Sequence, residues 1–414
     1  MTTSWVDKKG YDPDHLLRKI EKTKEVDDSG KVSFHGFEFK EYLVVLNSMI
    51  DFSNEIHHLE RRKILFKALS NIAAKGEITS SKLLNEVSSL ETQYFKAPIK
   101  KYILVTSISI NRFCKLKRVK INECTISFHL SLPKIFIKEI DKIKSYSSNS
   151  IFGEFPRDYI FIKVRVSAKS YEEATNQALD ALNLIRGIWN FYFNFRKHSR
   201  SSSGLRKPVN DLILGPLHTL HLPDGKMATG LWWYELEYIS PVTAYNSPIK
   251  IKKMYKFEND VRKLLKKSNY YPVIKEAILR YTQALDLRDW ESAFLKLWGV
   301  LELLTNTGND SYKVTVRRAS FLFKDREYAR QVLSHLRDYR NRAVHANSEN
   351  HFIEDFMYQI KFYVEALLNF HIVQSSGLNK FKEVVVLLDL PNDKAMLNTR
   401  IEIVKHAKKF LGYN

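Results

Sequence analysis

Arg340, Asn341 and His345 stand within six residues of one another, in Leu336-Arg-Asp-Tyr-Arg-Asn-Arg-Ala-Val-His-Ala-Asn347, a run without glycine or proline. On a helix, residues four apart share a face, so Asn341 and His345 are neighbours. Arg340 lies five residues before His345, about 140° round the axis, an offset that a long guanidinium can cover. An imidazole titrates near neutral pH and can move a proton. A guanidinium stays charged and forks onto a phosphate. RNA carries its own nucleophile, the 2′-hydroxyl, so cutting it without a metal needs only a base, an acid and a cation for the developing charge. Those needs assign His345 to proton transfer, Arg340 to the phosphate and Asn341 to orientation or a hydrogen bond, with Arg342 as a weaker candidate for a backbone contact. The competing reading is a helix end whose Arg and His only make ion pairs.

An Arg, a polar residue, then a His after a short gap resembles the signature of the HEPN superfamily. The upstream segment Tyr281-Thr-Gln-Ala-Leu-Asp-Leu-Arg-Asp-Trp-Glu-Ser-Ala-Phe-Leu-Lys-Leu-Trp-Gly-Val-Leu-Glu302 is similar to its Apea-like branch. The resemblance covers the last third of the chain. It implies an all-helical ribonuclease domain, usually a homodimer, in which two Arg/His motifs face one cleft and cut RNA with no metal and no cofactor. It also implies a role in bacterial defence or toxicity, with a phage or nucleic-acid trigger sensed by the rest of the chain. Two rivals share the scaffold: a protein that holds RNA without cutting it, and a purely structural helical dimer. Glu302, at the edge of an apolar stripe, is expected to pair with Arg340 or Arg342 and hold the motif; a plain surface Glu is the alternative.

The elements that must position these residues are legible from periodicity. Trp290, Ala293, Phe294, Leu297, Trp298, Leu301 and Leu304 form one helical stripe. Helices are also expected over Val314–Phe323, Glu327–Val344, Phe352–Val373, Lys380–Leu388 and Asp393–Leu411. In the front half, Phe37 to Lys75 reads as helix and the first thirty residues as loosely ordered. Strands are expected near Leu104–Ile110, Cys124–Leu132 and Ile160–Val166. Ser170-Tyr-Glu-Glu173 is a capping box that opens a long helix to Trp189. An aromatic run, Trp189 to Phe195, then meets a basic loop, Arg196 to Lys207; both can be a surface for single-stranded RNA or simply a buried helix end and a solvated loop. A hairpin over Leu212–Ile239 turns at Pro223-Asp-Gly-Lys226, and His218 and His221, three apart on a strand, face opposite sides and share no metal.

The fold class expected is α+β: a mixed helix and antiparallel-sheet domain over 1–250, sensing or regulatory, followed by an all-α bundle over 251–414. At 414 residues, 44% hydrophobic and 13% aromatic, the chain can bury such cores. Cys114 and Cys124 suit a reducing cytoplasm and fit no zinc spacing. No signal segment and no membrane-spanning run is visible. The 66 Lys+Arg against 46 Asp+Glu give a net charge of +20, which favours a polyanionic partner. Lys252, Lys253, Lys263, Lys266 and Lys267, in the basic segment from Lys250 to Lys267, are the candidate RNA contacts; a solvated helix surface is the alternative reading.

Overall fold

The computed structural model describes residues 3–27, 32–53, 56, 58–146, 156, 158–195, 197–198, 207–235, 238, 243–308, 312–343, 352–374, 377–378, 380–391 and 393–413. The architecture is α+β, with a six-stranded antiparallel sheet and a helical carboxy-terminal region. The chain forms two compact units: Met1–Leu104 with Arg165–Ala178 and Leu220–Gly230, and Val105–Val164 with Leu179–Thr219 and Leu231–Asn414. Residues 250 and 251, the expected domain boundary, both fall inside the second unit.

The first unit contains β1 (Ser4–Trp5), α1 (Pro13–Glu21), β2 (Lys24–Val26), β3 (Val32–Phe34), α2 (Phe37–Ser48), β4 (Ile50–Asp51), α3 (His58–Ala73) and α4 (Ser80–Lys96). The amino-terminal stretch is more ordered than its polarity suggests. Asp12 caps α1 by accepting from the His15 backbone N–H at 2.9 Å, and Pro13 occupies the first turn. Leu17 and Ile20 of α1 then join Leu46, Leu65, Leu83 and Val87 in one core. Those partners lie far along the sequence, which is why a local reading misses the helix. The helical reading of Phe37 to about Lys75 is realised as α2 and α3, with Ile50–Asp51 between them pairing with Ser4–Trp5.

The sheet follows. It is built from β5 (Lys100–Asn111), β6 (Val119–Ile121), β7 (Cys124–His129), β8 (Tyr159–Ala168), β9 (Leu217–His221) and β10 (Met227–Tyr234), in the order β10-β9-β5-β8-β7-β6. Helices α5 (Lys134–Tyr146) and α6 (Tyr171–Asn194) flank β8 in sequence. The capping signal is realised at α6: Ser170 Oγ accepts from the Glu173 N–H at 3.1 Å, and Glu173 accepts from the Lys169 N–H at 2.8 Å. The hairpin turn also forms, with the Leu222 N–H donating to Lys226 O and Gly225 at φ +89°. His218 bonds Thr106 and Glu235, whereas His221 bonds the Gly225 carbonyl, so the two serve as separate core histidines.

The second unit continues with α7 (Pro248–Lys266), α8 (Tyr271–Asp286), α9 (Trp290–Thr305), α10 (Tyr312–Ser320), α11 (Arg326–Ala343), α12 (Ile353–Gln374), α13 (Phe381–Leu388) and α14 (Lys394–Phe410). Helix α9 packs between α8 and α12, and its expected stripe from Trp290 to Leu304 is buried throughout. Helix α14 contributes no buried residue and leaves Met396, Ile401, Ile403 and Val404 exposed.

Gly187 of α6 sits against α8, where an added Cβ would lie 2.3 Å from Thr282 Oγ1 and 2.7 Å from Ile278 Cγ2. Gly187→Ala is expected to lower stability by about 1–3 kcal/mol through overpacking, even though alanine is the better helix former by about 1 kcal/mol. The measurement is the urea midpoint of unfolding; an unchanged or raised midpoint contradicts the close approach.

Candidate functional site

Helix α11 begins on Asp325, whose carboxylate accepts from the Tyr328 N–H at 3.0 Å. Its buried stripe, Ala329, Leu333, Leu336 and Tyr339, fixes which way the helix faces. The Tyr339 ring lies between α9 and α12, with centroids 5.0 Å from Phe294 and 4.9 Å from Phe356. Its hydroxyl donates to Glu291 at 3.4 Å. Burial first, and then the Glu291 charge, push the phenol up to about 12, so it stays a neutral donor.

That clamp sets the residues immediately after it. Arg340 and Asn341 are half-buried and Arg342 is exposed, all in the last turn of α11. Arg340 Nη1 donates to Asn341 Oδ1 at 3.4 Å. The guanidiniums of this turn complement the partial negative charge of the helix end. His345 lies outside the described residues. The expected partner Glu302 is engaged on its own helix, accepting from Trp298 Nε1 at 2.8 Å.

The basic segment forms α7, buried along Ile251, Met254, Val261 and Leu265. Lys252, Lys253, Lys263, Lys266 and Lys267 are all exposed. Three of them line clefts along the helix. Lys252 lines a cleft of about 770 Å³ with the segment from Phe113 to Val119. Lys253 lines another of about 610 Å³ with Phe191, Tyr192, Phe193, Phe195 and Phe257, part of the expected aromatic run. Lys266 lines a third of about 340 Å³ beside Lys120 and Tyr271. Lys263 pairs with Asp260 at 3.7 Å, and Lys267 is the C-cap. Most of the basic loop from Arg196 to Lys207 lies outside the described residues.

Sequence reading missed the far wall of the Lys252 cleft, Phe113, Lys115, Lys117 and Arg118. Its signal was the basic alternation Lys115-Leu-Lys-Arg-Val-Lys120 entering an edge strand. Two ion pairs, each on a buried base, were also illegible. Arg186 forks onto Asp286 at 2.8 and 2.6 Å. Lys361 pairs with Glu365 at 2.9 Å, and Glu365 also accepts from the Tyr281 hydroxyl. Burial raises Glu365 to about 7 despite Lys361 and Tyr281, which act to lower it. Among the described residues, no group of three or more His, Cys, Asp or Glu is placed to hold a metal ion. Comparison with family models, curated proteins and solved structures returned no match.

Proposed function

We propose that the chain is a metal-independent endoribonuclease that cleaves single-stranded RNA through Arg340, Asn341 and His345. The observation that carries this reading is the last turn of α11, where the Tyr339 clamp presents Arg340 beside Asn341, with His345 five residues further on in the sequence. His345 takes the proton from the 2′-hydroxyl as its oxygen attacks phosphorus. Arg340 steadies the charge that builds on the phosphoryl oxygens. The bond from phosphorus to the 5′-oxygen breaks, that oxygen takes up a proton, and the products are a 2′,3′-cyclic phosphate and a 5′-hydroxyl. Single strands suit this chemistry because they can reach in-line geometry.

One motif supplies one histidine, so the acid comes from a second copy in a homodimer formed through the carboxy-terminal helices. The exposed apolar residues of α14 support such an association. The biological reading is a cytoplasmic bacterial defence or toxin effector, with the first 250 residues restraining the nuclease until a phage or nucleic-acid trigger arrives. None of the described helices is long and apolar enough to cross a membrane. The test is incubation of purified protein with mixed RNA in EDTA, and with Mg²⁺ or Mn²⁺ returned.

A further inference from the structure

We infer that the cleft between the Phe113–Val119 segment and α7 is a groove for single-stranded nucleic acid, which holds the phosphate backbone on its lysines and stacks a base on Phe113. Lys115, Lys117, Arg118, Lys252, Lys256 and Arg262 converge on this space of about 770 Å³. The one carboxylate among its lining residues, Glu258, is buried and already occupied by Trp189 Nε1 and Arg262. The first five cations form no ion pair among the described residues, so their charge is turned outward. Five uncompensated cations in one concavity focus a positive potential.

The walls are fixed independently of any ligand. Arg262 Nη2 donates to the Lys120 carbonyl at 2.8 Å, tying α7 to the edge strand β6. The Tyr255 hydroxyl accepts from the Lys117 N–H at 2.9 Å, tying α7 to the loop before that strand. Further along α7, a second space of about 340 Å³ is also lined by Arg262 and adds Lys120, Lys266 and Tyr271. Basic groups therefore follow the helix for most of its length. Phe113, 81% exposed in the midst of these cations, has no packing role that accounts for it. A basic channel with an exposed aromatic is how single strands are held without sequence preference, because every base has a π-face. A duplex keeps its bases stacked and offers none to Phe113. A bilayer surface cannot follow the walls of a concave cleft.

The inference shares with the proposed function the choice of nucleic acid as partner, but it does not depend on cleavage. The probe is a fluorescein-labelled all-deoxy single strand of about twelve nucleotides, which lacks the 2′-hydroxyl and cannot be cut by the proposed chemistry. Its affinity is read by anisotropy across a salt series. The double variant K252E/K256E is expected to bind about tenfold or more weakly, and its salt slope to fall by about 1.4, at about 0.7 per lost phosphate contact on a single strand. Phe113→Ala is expected to weaken binding about fivefold or more with the slope unchanged. The control K40E/K67E, on exposed lysines of α2 and α3, carries the same charge change and should leave affinity within about twofold.

Equal loss in that control would reduce the effect to net charge and overturn the groove, as would equal affinity for a duplex of the same sequence or competition by anionic vesicles. Circular dichroism and melting keep folding separate from binding. Cleavage of RNA by the wild type, together with unchanged strand affinity in folded K252E/K256E, would refute the groove and leave the nuclease reading standing. Binding lost in the variant while no wild-type cleavage occurs would do the reverse.

Discussion

Replacing His345 by alanine is expected to lower the rate of RNA cleavage by about 10²–10⁴-fold, the usual contribution of a positioned acid or base. Stability should change little, by less than about 0.5 kcal/mol. The sequence after it, Ala346-Asn347-Ser348, offers no large apolar side chain for a core to form around. RNA binding should survive, because Arg340 and the α7 lysines still meet phosphate. Arg340→Ala is the informative contrast. It removes a charge-assisted contact that strengthens as negative charge builds up, so both binding and cleavage should fall. Its neighbour Tyr339 packs between Phe294 and Phe356, and circular dichroism and melting of Arg340→Ala separate a loss of folding from a loss of contact with RNA. If His345→Ala unfolds the protein, the motif is a packing device. If it folds and cuts at the wild-type rate, the chemistry lies elsewhere.

The largest expected loss of stability comes from the ion pair between buried Arg186 and half-buried Asp286. Asp286→Ala should cost about 3–5 kcal/mol, because it strands a buried guanidinium. Arg186 is fully enclosed. Burial alone would lower its pKa, and the Asp286 carboxylate outweighs that, so the net direction is upward. Asp286 also accepts from Asn210 Nδ2 at 2.8 Å, while Arg186 Nη1 reaches the Leu212 carbonyl at 3.1 Å. Asn190 closes the network by bonding both the N–H and the carbonyl of Leu212. Removing the carboxylate thus leaves a buried charge without its counter-ion, and takes one of two acceptors from Asn210 Nδ2, which also donates to the Thr282 carbonyl. The double replacement R186M/D286L removes both charges and should recover much of the loss. Denaturant midpoints decide it: a loss below about 1 kcal/mol for Asp286→Ala would mean that water reaches Arg186.

How much of this was legible depended on whether the signal was local. The α9 stripe, the capping residues Ser170 and Glu173, and the Pro223–Lys226 turn are set by neighbours within a few residues, and each forms as expected. The α1 helix and the Ile50–Asp51 strand depend on partners tens of residues away, so periodicity alone misplaces them. The same division runs through the candidate site. The spacing of Arg340 and Asn341 is local, and the structure places both in one helical turn. The lysines of α7 form one run in the sequence, yet Lys252 and Lys253 line different clefts because consecutive residues point about 100° apart, and Lys266 lines a third about four turns further along the helix. The opposite wall, from Phe113 to Arg118, is more than a hundred residues earlier in sequence, and only the fold brings it to α7. Arg186 and Asp286 are likewise exactly one hundred residues apart, with nothing in either neighbourhood to name its partner.

If this chain cuts RNA with the strand's own 2′-hydroxyl, the ends of the products carry the mark of that chemistry. Wild-type protein is incubated with RNA in EDTA and the fragments are weighed by mass spectrometry. Cleavage is expected to be undiminished by EDTA, with 2′,3′-cyclic phosphate and 5′-hydroxyl ends. Fragments bearing 3′-hydroxyl and 5′-phosphate ends, or cleavage that EDTA abolishes and Mg²⁺ or Mn²⁺ restores, would contradict it.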